Sequence, residues 1–298
     1  MKNEIIVLKH DLDTCFADGL FRPLRNTGAR AKLDVTYRDR RGRTMRWYGP
    51  DALGADDLRI LQALVALAEA GPERLSPYPA EPDAKRLRDD LKPEGDARGK
   101  NSVRLITSKT RLLATAGYAT GGSIHARIFS QGGVLERLHG VSIIMRQTDE
   151  RGVERIAGSH LLSVAAHGDQ IAIALSWRMS ALALGTEPRY ATLSLVETRH
   201  LKSDTARILH QYLSAYVRLG GSQSPALDTL VERVYGRDAA PDAKADARRR
   251  QHRTRIRVAL AEIGALPAWT VEINGERVVI SRKRAIPQDA AGQTASQP

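Results

Sequence analysis

Cysteine is nearly absent from the chain: Cys15 is the single example in 298 residues. A lone thiol excludes an internal disulfide framework and fits a reducing compartment. Long apolar runs are missing too. Nothing approaches the roughly 18 residues of a membrane span, and the opening Met1-Lys2-Asn3-Glu4 carries no signal-peptide core. A cytoplasmic protein with no membrane partner is therefore expected. The eight histidines form neither His-x-His nor HExxH, the spacings that would hold a catalytic metal. Residues 95–102 (GDARGKNS) resemble a phosphate loop only loosely, with three residues between the glycines and Asn after the lysine, and read as a basic loop. Tyr212 lies two positions after His210 at a spacing that suits a core better than a nucleophile. The expectation is no catalytic residue, no cofactor and no metal.

Acidic charge is scarce relative to basic. The formal net charge is +12 and the pI about 10.1, which points to an anionic partner, nucleic acid or an acidic membrane surface. Half of that excess lies beyond Tyr190, so the C-terminal end is the more densely basic. With 42% hydrophobic and 27% charged residues, the chain can build a packed core, and its length allows two domains.

The basic excess peaks in residues 241–284. A predicted helix over 243–266 carries Arg248, Arg249, Arg250, Arg253, Arg255 and Arg257. After Pro267 come two β-rich runs, 269–273 and 277–282, separated around Asn274-Gly275, a strong hairpin signal. An arginine-loaded helix followed by a tight hairpin is the layout of a winged helix, with the helix in a DNA groove and the hairpin beside it. The alternative is a solvated charged face. Helical phase sets Ile256, Leu260 and Ile263 on a buried stripe. Arg250, Thr254 and Arg257 fall toward the opposite side at i, i+4, i+7, with Gln251 beside them. These are the candidates for base reading, since Arg pairs with guanine and Gln with adenine. Arg249 and Arg253 fall nearer the core stripe, where backbone contacts or salt links suit them better. Arg248 and Arg253 join the candidate DNA set, as do Arg277 and Arg282 on the hairpin.

The rest of the chain repeats this plan. Residues 1–30 read as an arm, 32–37 and 44–48 as a hairpin around Arg41-Gly42, and Gly54-Ala55-Asp56-Asp57 as a helix start. Leu58, Leu61, Val65 and Ala68 form that helix's apolar stripe. Five prolines between Pro72 and Pro93 suggest a long loop or poorly packed insertion over 71–100. A short helix over 108–116, a longer one over 123–139 and strands at 141–145, 156–164 and 170–176 follow. Lys109, Thr110 and Arg111 open the first of these helices, and Ser123, His125 and Arg127 the second; they suit DNA contact and an ordinary surface role equally. Ser203 caps a helix to about residue 217, and 227–235 is another. The predicted fold is α+β, two tandem winged-helix domains. Residues 1–30 form the arm, 31–180 the first domain, 190–285 the second, and 286–298 a disordered tail.

Several stretches resemble the RepC-type replication initiators of IncQ broad-host-range plasmids. They are Gly19-Leu20-Phe21-Arg22, KLDVTY at 32–37, LGADDLRILQALVA at 53–66, VSII at 141–144, SDTARILHQYL at 203–213, Leu227-Asp228-Thr229-Leu230, and 248–271 ending in LPAWTV. The departures are 71–100, 238–247 and the tail. The resemblance implies an origin-binding protein without catalytic activity. It would bind tandem direct repeats (iterons) in double-stranded origin DNA, help to open A·T-rich DNA, and support loading of the plasmid's helicase and primase. It also implies a homodimer in the non-replicating form, and base reading mainly by the C-terminal domain. A plasmid transcriptional regulator and a tyrosine-dependent nicking initiator are the alternatives.

Overall fold

The computed structural model describes residues 7–24, 29–119, 121–236 and 245–284. The expected tail, the approach to the arginine helix at 241–244, and parts of the expected arm lie outside these residues. Strand β1 (Val7–Asp11) and helix α1 (Leu12–Phe16) lead to the hairpin of β2 (Leu33–Arg38) and β3 (Thr44–Gly49), then α2 (Ala55–Ala70). Next come β4 (Glu73–Leu75), α3 (Pro82–Asp90), β5 (Glu94–Gly95) and a 3-10 turn (Asp96–Gly99). They are followed by β6 (Ser102–Ser108), α4 (Lys109–Thr115), α5 (Ser123–Phe129) and α6 (Val134–His139). Strands β7 (Ser142–Thr148), β8 (Glu154–His160), β9 (Leu162–His167) and β10 (Gln170–Leu175) precede α7 (Trp177–Ala183). The C-terminal half contains β11 (Tyr190–Ser194), α8 (Leu195–His200), α9 (Asp204–Tyr216), β12 (Ser222–Gln223), α10 (Leu227–Tyr235), α11 (Ala245–Gly264), β13 (Trp269–Asn274) and β14 (Arg277–Arg282).

The architecture is α+β with several small antiparallel sheets. The sheet orders reveal a repeat. In the C-terminal half the succession α9, β12, α10, α11, β13, β14 closes a sheet ordered β12-β14-β13. In the first half α2, β6, α4, α5 with α6, β9 and β10 close a sheet containing β6-β10-β9. Each time the first strand pairs with the last, and the last two form a hairpin. The first copy is interrupted by residues 73–99 and by β7–β8. That second insertion pairs with the leading hairpin in a separate sheet, β2-β3-β7-β8-β5.

Helix α2 is the hub of the first half. A single apolar stripe was expected, yet Ile60, Leu64 and Leu67 on its other sides are buried as well, because the helix is packed all round by β1, α4, α6, α7 and α9. Buried Asp57 receives Arg30 and Arg137, each at 2.9 Å, and the Gly54 amide at 2.7 Å. Two arginines and a backbone amide thus satisfy its oxygens within the core.

Several expectations are corrected. Residues 71–100 are not a loose loop: Pro82 starts α3 at a position where its missing N–H costs nothing, and Leu75, Leu87 and Leu91 are buried. Buried Arg88 donates to Ser102 Oγ at 2.6 Å and to the carbonyls of Ala97, Lys100 and Arg98 at 2.9, 3.0 and 3.1 Å. The arm is packed where it is described, with Leu8, Leu20 and Phe21 buried. Strand β1 pairs along its length with β11, so this two-stranded sheet joins the halves. The helix expected over 123–139 is two helices, broken at Gln131-Gly132-Gly133. The strand expected over 156–164 is split at Leu161 between two sheets. The final hairpin turns one residue later than the Asn-Gly signal implied. Asn274 pairs with Arg277, so Gly275 and Glu276 make the turn, and only Gly275 has positive φ (62°), the pattern of a II′ turn.

Candidate nucleic-acid interface

Helix α11 is held by a short apolar patch. Ile256, Ala259, Leu260 and Ile263 are its buried residues, and none precedes Ile256. The preceding three turns are carried instead by polar contacts with α10. His252 stacks on Tyr235 with ring centroids 3.8 Å apart and planes 3° from parallel. Asp228 accepts two hydrogen bonds from Arg253, both at 2.6 Å, and one from Arg249 at 2.5 Å. Arg253, foremost, and Arg249 hold that carboxyl down at about 2. Arg253 also lies 3.3 Å from Glu276 at the hairpin turn.

These contacts divide the arginines. Arg249 and Arg253 are engaged in ion pairs within the fold, and Arg253, one of the candidate DNA residues, links α10, α11 and the hairpin. Arg250, Gln251, Thr254, Arg255 and Arg257 are exposed. Thr254 Oγ1 donates to the Arg250 carbonyl at 3.1 Å, the i−4 back-bond common for threonine within a helix. Val258, 54% exposed, continues this face. Arg248 is half-buried at the start of the helix.

The hairpin is rigid at its root and open at its tip. Trp269 is buried, and its Nε1 donates to Glu197 Oε2 at 3.2 Å, an oxygen that also lies 2.8 Å from His210 Nε2. Burial raises the Glu197 carboxyl, but these donors outweigh it and the net shift is downward. Arg282 is corrected: it is only 2% exposed and cannot meet a phosphate. Its guanidinium lies over the Trp269 ring at 4.9 Å and donates to the carbonyls of Ser214 at 3.1 Å and Thr192 at 2.9 Å. Burial pushes its ionisation down. Arg277 is exposed at the tip, where Glu272 and Glu276 are its acidic neighbours.

In the first half Thr110, Arg111, Ser123, His125 and Arg127 are exposed. Lys109 and His125 are brought together on Phe129, at 5.7 Å to the ring centroid and 4.8 Å between rings respectively. Arg127 is partly neutralised by Asp56 at 3.2 Å. Sequence reasoning did not single out Asp228, whose carboxylate decides which arginines remain available; only its helical spacing from Val231 and Val234 hinted at an inward edge.

Among the described residues no helix is long and apolar enough to cross a membrane, and no three His, Cys, Asp or Glu side chains gather as a metal set would. No curated protein matches the chain. The model of one protein family, replication protein C (RepC), matches residues 2–284. The chain spans nearly the whole of its length with that model and belongs to the RepC family, which makes it a plasmid replication protein.

Proposed function

We propose that the protein initiates plasmid replication by binding direct repeats in duplex origin DNA through two winged-helix modules. The observation that carries this reading is the outward face of α11, where Arg250 and Arg257 flank Gln251 and Thr254 and none is neutralised by a described acidic residue. The helix lies immediately before a braced hairpin, so it enters the major groove while the hairpin lies along the adjacent backbone. The repeated strand order in the first half supports a second module contacting the neighbouring groove through α4 and α5. Binding by both distorts the duplex beside the repeats, promotes opening of A·T-rich DNA and recruits the plasmid helicase and primase.

The protein acts without a catalytic step of its own, in the cytoplasm. Tyr212, the strongest nucleophile candidate, is buried against Phe16 and Tyr216, and burial pushes its phenol up to about 12. Footprinting on the origin of the replicon that encodes the protein tests the reading. Regular protection of direct repeats is expected, with permanganate-reactive thymines appearing in adjacent A·T-rich DNA. Protection without melting would favour a transcriptional regulator, and a covalent protein–DNA adduct would favour the nicking alternative.

A further inference from the structure

A cleft of about 1300 Å³ opens between the turn of the β2–β3 hairpin, the start of β11 and the end of α9. It exceeds the roughly 300–1,000 Å³ of drug-sized ligand pockets. Six arginines and two aspartates line it. Both aspartates are engaged within the fold: Asp13 lies 2.7 Å from Arg43 and 3.1 Å from Arg178, and Asp39 3.2 Å from Arg43. Arg40, Arg41 and Arg218 are exposed and make no ion pair with a described residue. The cleft is therefore strongly positive at its rim.

Its walls are aromatic. Phe16 meets Tyr212 edge-on at 5.9 Å, and Tyr212 stacks on Tyr216 at 5.3 Å with planes 17° apart. Tyr216 is the half-buried outer end of that column, and Tyr190, 42% exposed, borders the cleft nearby. Stacked aromatics within a ring of guanidinium groups recognise unpaired bases on a phosphate backbone, the arrangement used by single-strand binding sites as short as about four nucleotides. A duplex hides its base faces and gains nothing from such walls. None of Arg250, Arg255 or Arg257 lines this cleft, so it is separate from the face of α11.

We propose that this cleft binds a short stretch of single-stranded DNA, with bases stacking on Tyr216 and Tyr190 and phosphates held by Arg40, Arg41 and Arg218. The proposal builds on the reading that the protein works on origin DNA, since a melted origin supplies such a strand. It does not depend on which helix reads the duplex.

Fluorescence anisotropy of the full chain with labelled oligothymidylate, and separately with duplex repeats, tests it. The Arg40→Glu/Arg41→Glu variant alters only exposed side chains, and Tyr216→Ala removes the stacking platform; circular-dichroism melts confirm that both fold. Each is expected to weaken oligothymidylate binding at least about tenfold, the worth of one stacked base, while duplex affinity stays within about threefold of wild type. The proposal is overturned if wild type does not bind oligothymidylate at low salt. It is equally overturned if the cleft variants bind like wild type, or lose single strand and duplex alike. If Arg250→Ala/Arg257→Ala leaves duplex binding intact while the cleft variants lose the single strand, the groove-reading role of α11 fails and the cleft site stands.

Discussion

Replacing Arg282 separates an architectural arginine from a DNA-binding one. Its guanidinium donates to Ser214 on α9 and Thr192 on β11 and covers Trp269, so it ties β14 to the elements that join the halves. Hydrogen bonds from a charged donor contribute about 1.5–3 kcal/mol each, and a desolvated cation over Trp about 2 kcal/mol. The cost of burying the charge, evident in its lowered ionisation, offsets part of this. Arg282→Ala should therefore cost about 3–4 kcal/mol, and Arg282→Lys, which reaches one carbonyl at best, about 2 kcal/mol. At roughly 2–4 °C per kcal/mol for a unit of this size, the alanine variant should melt about 6–16 °C lower. Urea titration with parallel anisotropy on duplex DNA checks both quantities well below the melting temperature. A variant as stable as wild type that had lost DNA affinity would refute the reasoning and return Arg282 to the interface.

Asp228→Asn should destabilise by only about 0.5–1 kcal/mol at neutral pH, because the cluster is solvent-screened. Since Arg253 and Arg249 depress this carboxyl to about 2 from about 3.9 when unfolded, its contribution is present above the unfolded value. It is lost as pH falls, so the stability gap between wild type and variant should close between about pH 4 and pH 2 in chemical denaturation. The same variant frees Arg249 and leaves Arg253 only its contact with Glu276, so non-specific duplex binding should become more salt-dependent, with a log–log slope steeper by about 1. Gly95→Ala should cost about 3 kcal/mol, because Gly95 has φ +53° and a Cβ there would sit 2.0 Å from the Ile156 carbonyl oxygen; Gly275→Ala, with open space around it, should cost about 1 kcal/mol in the same melts. Arg88→Met leaves the carbonyls of Ala97, Arg98 and Lys100 without their donor. It should lower stability by about 3 kcal/mol and expose residues 96–101 to limited proteolysis.

What the sequence made legible was local. Helix α9 announces itself through Ser203, whose hydroxyl accepts from the Ala206 amide at 3.1 Å, and α11 with its hairpin follows from periodicity and punctuation. Phase arithmetic separated Arg249 and Arg253 from Arg250 and Arg257, because helical spacing is a property of the chain alone. Their partner was invisible: Asp228 lies 21 residues from Arg249 and 25 from Arg253, and only the packing of α10 on α11 brings it near. Arg282 failed for the same reason, since a basic residue at a hairpin end gives no sign that a tryptophan and two carbonyls await it. The prolines of 71–100 misled because Pro82 reads as a breaker in composition but sits in the first turn of α3. Strands β8 and β9 ran together because Leu161, where the chain changes sheets, is neither Gly nor Pro. The cleft went unseen because Arg41 read as a turn residue and Tyr212 as core.

In the proposed function, Arg250 and Arg257 read bases while the rest of the fold positions them. Equilibrium binding of wild type, Arg250→Ala and Arg257→Ala to duplex direct repeats and to scrambled repeats, at one salt concentration, tests it most directly. Base reading predicts that wild type prefers the true repeats, and that each variant loses about 1–3 kcal/mol on them while its affinity for the scrambled duplex changes far less. Equal wild-type affinity for both duplexes, or equal losses on both in the variants, would contradict it.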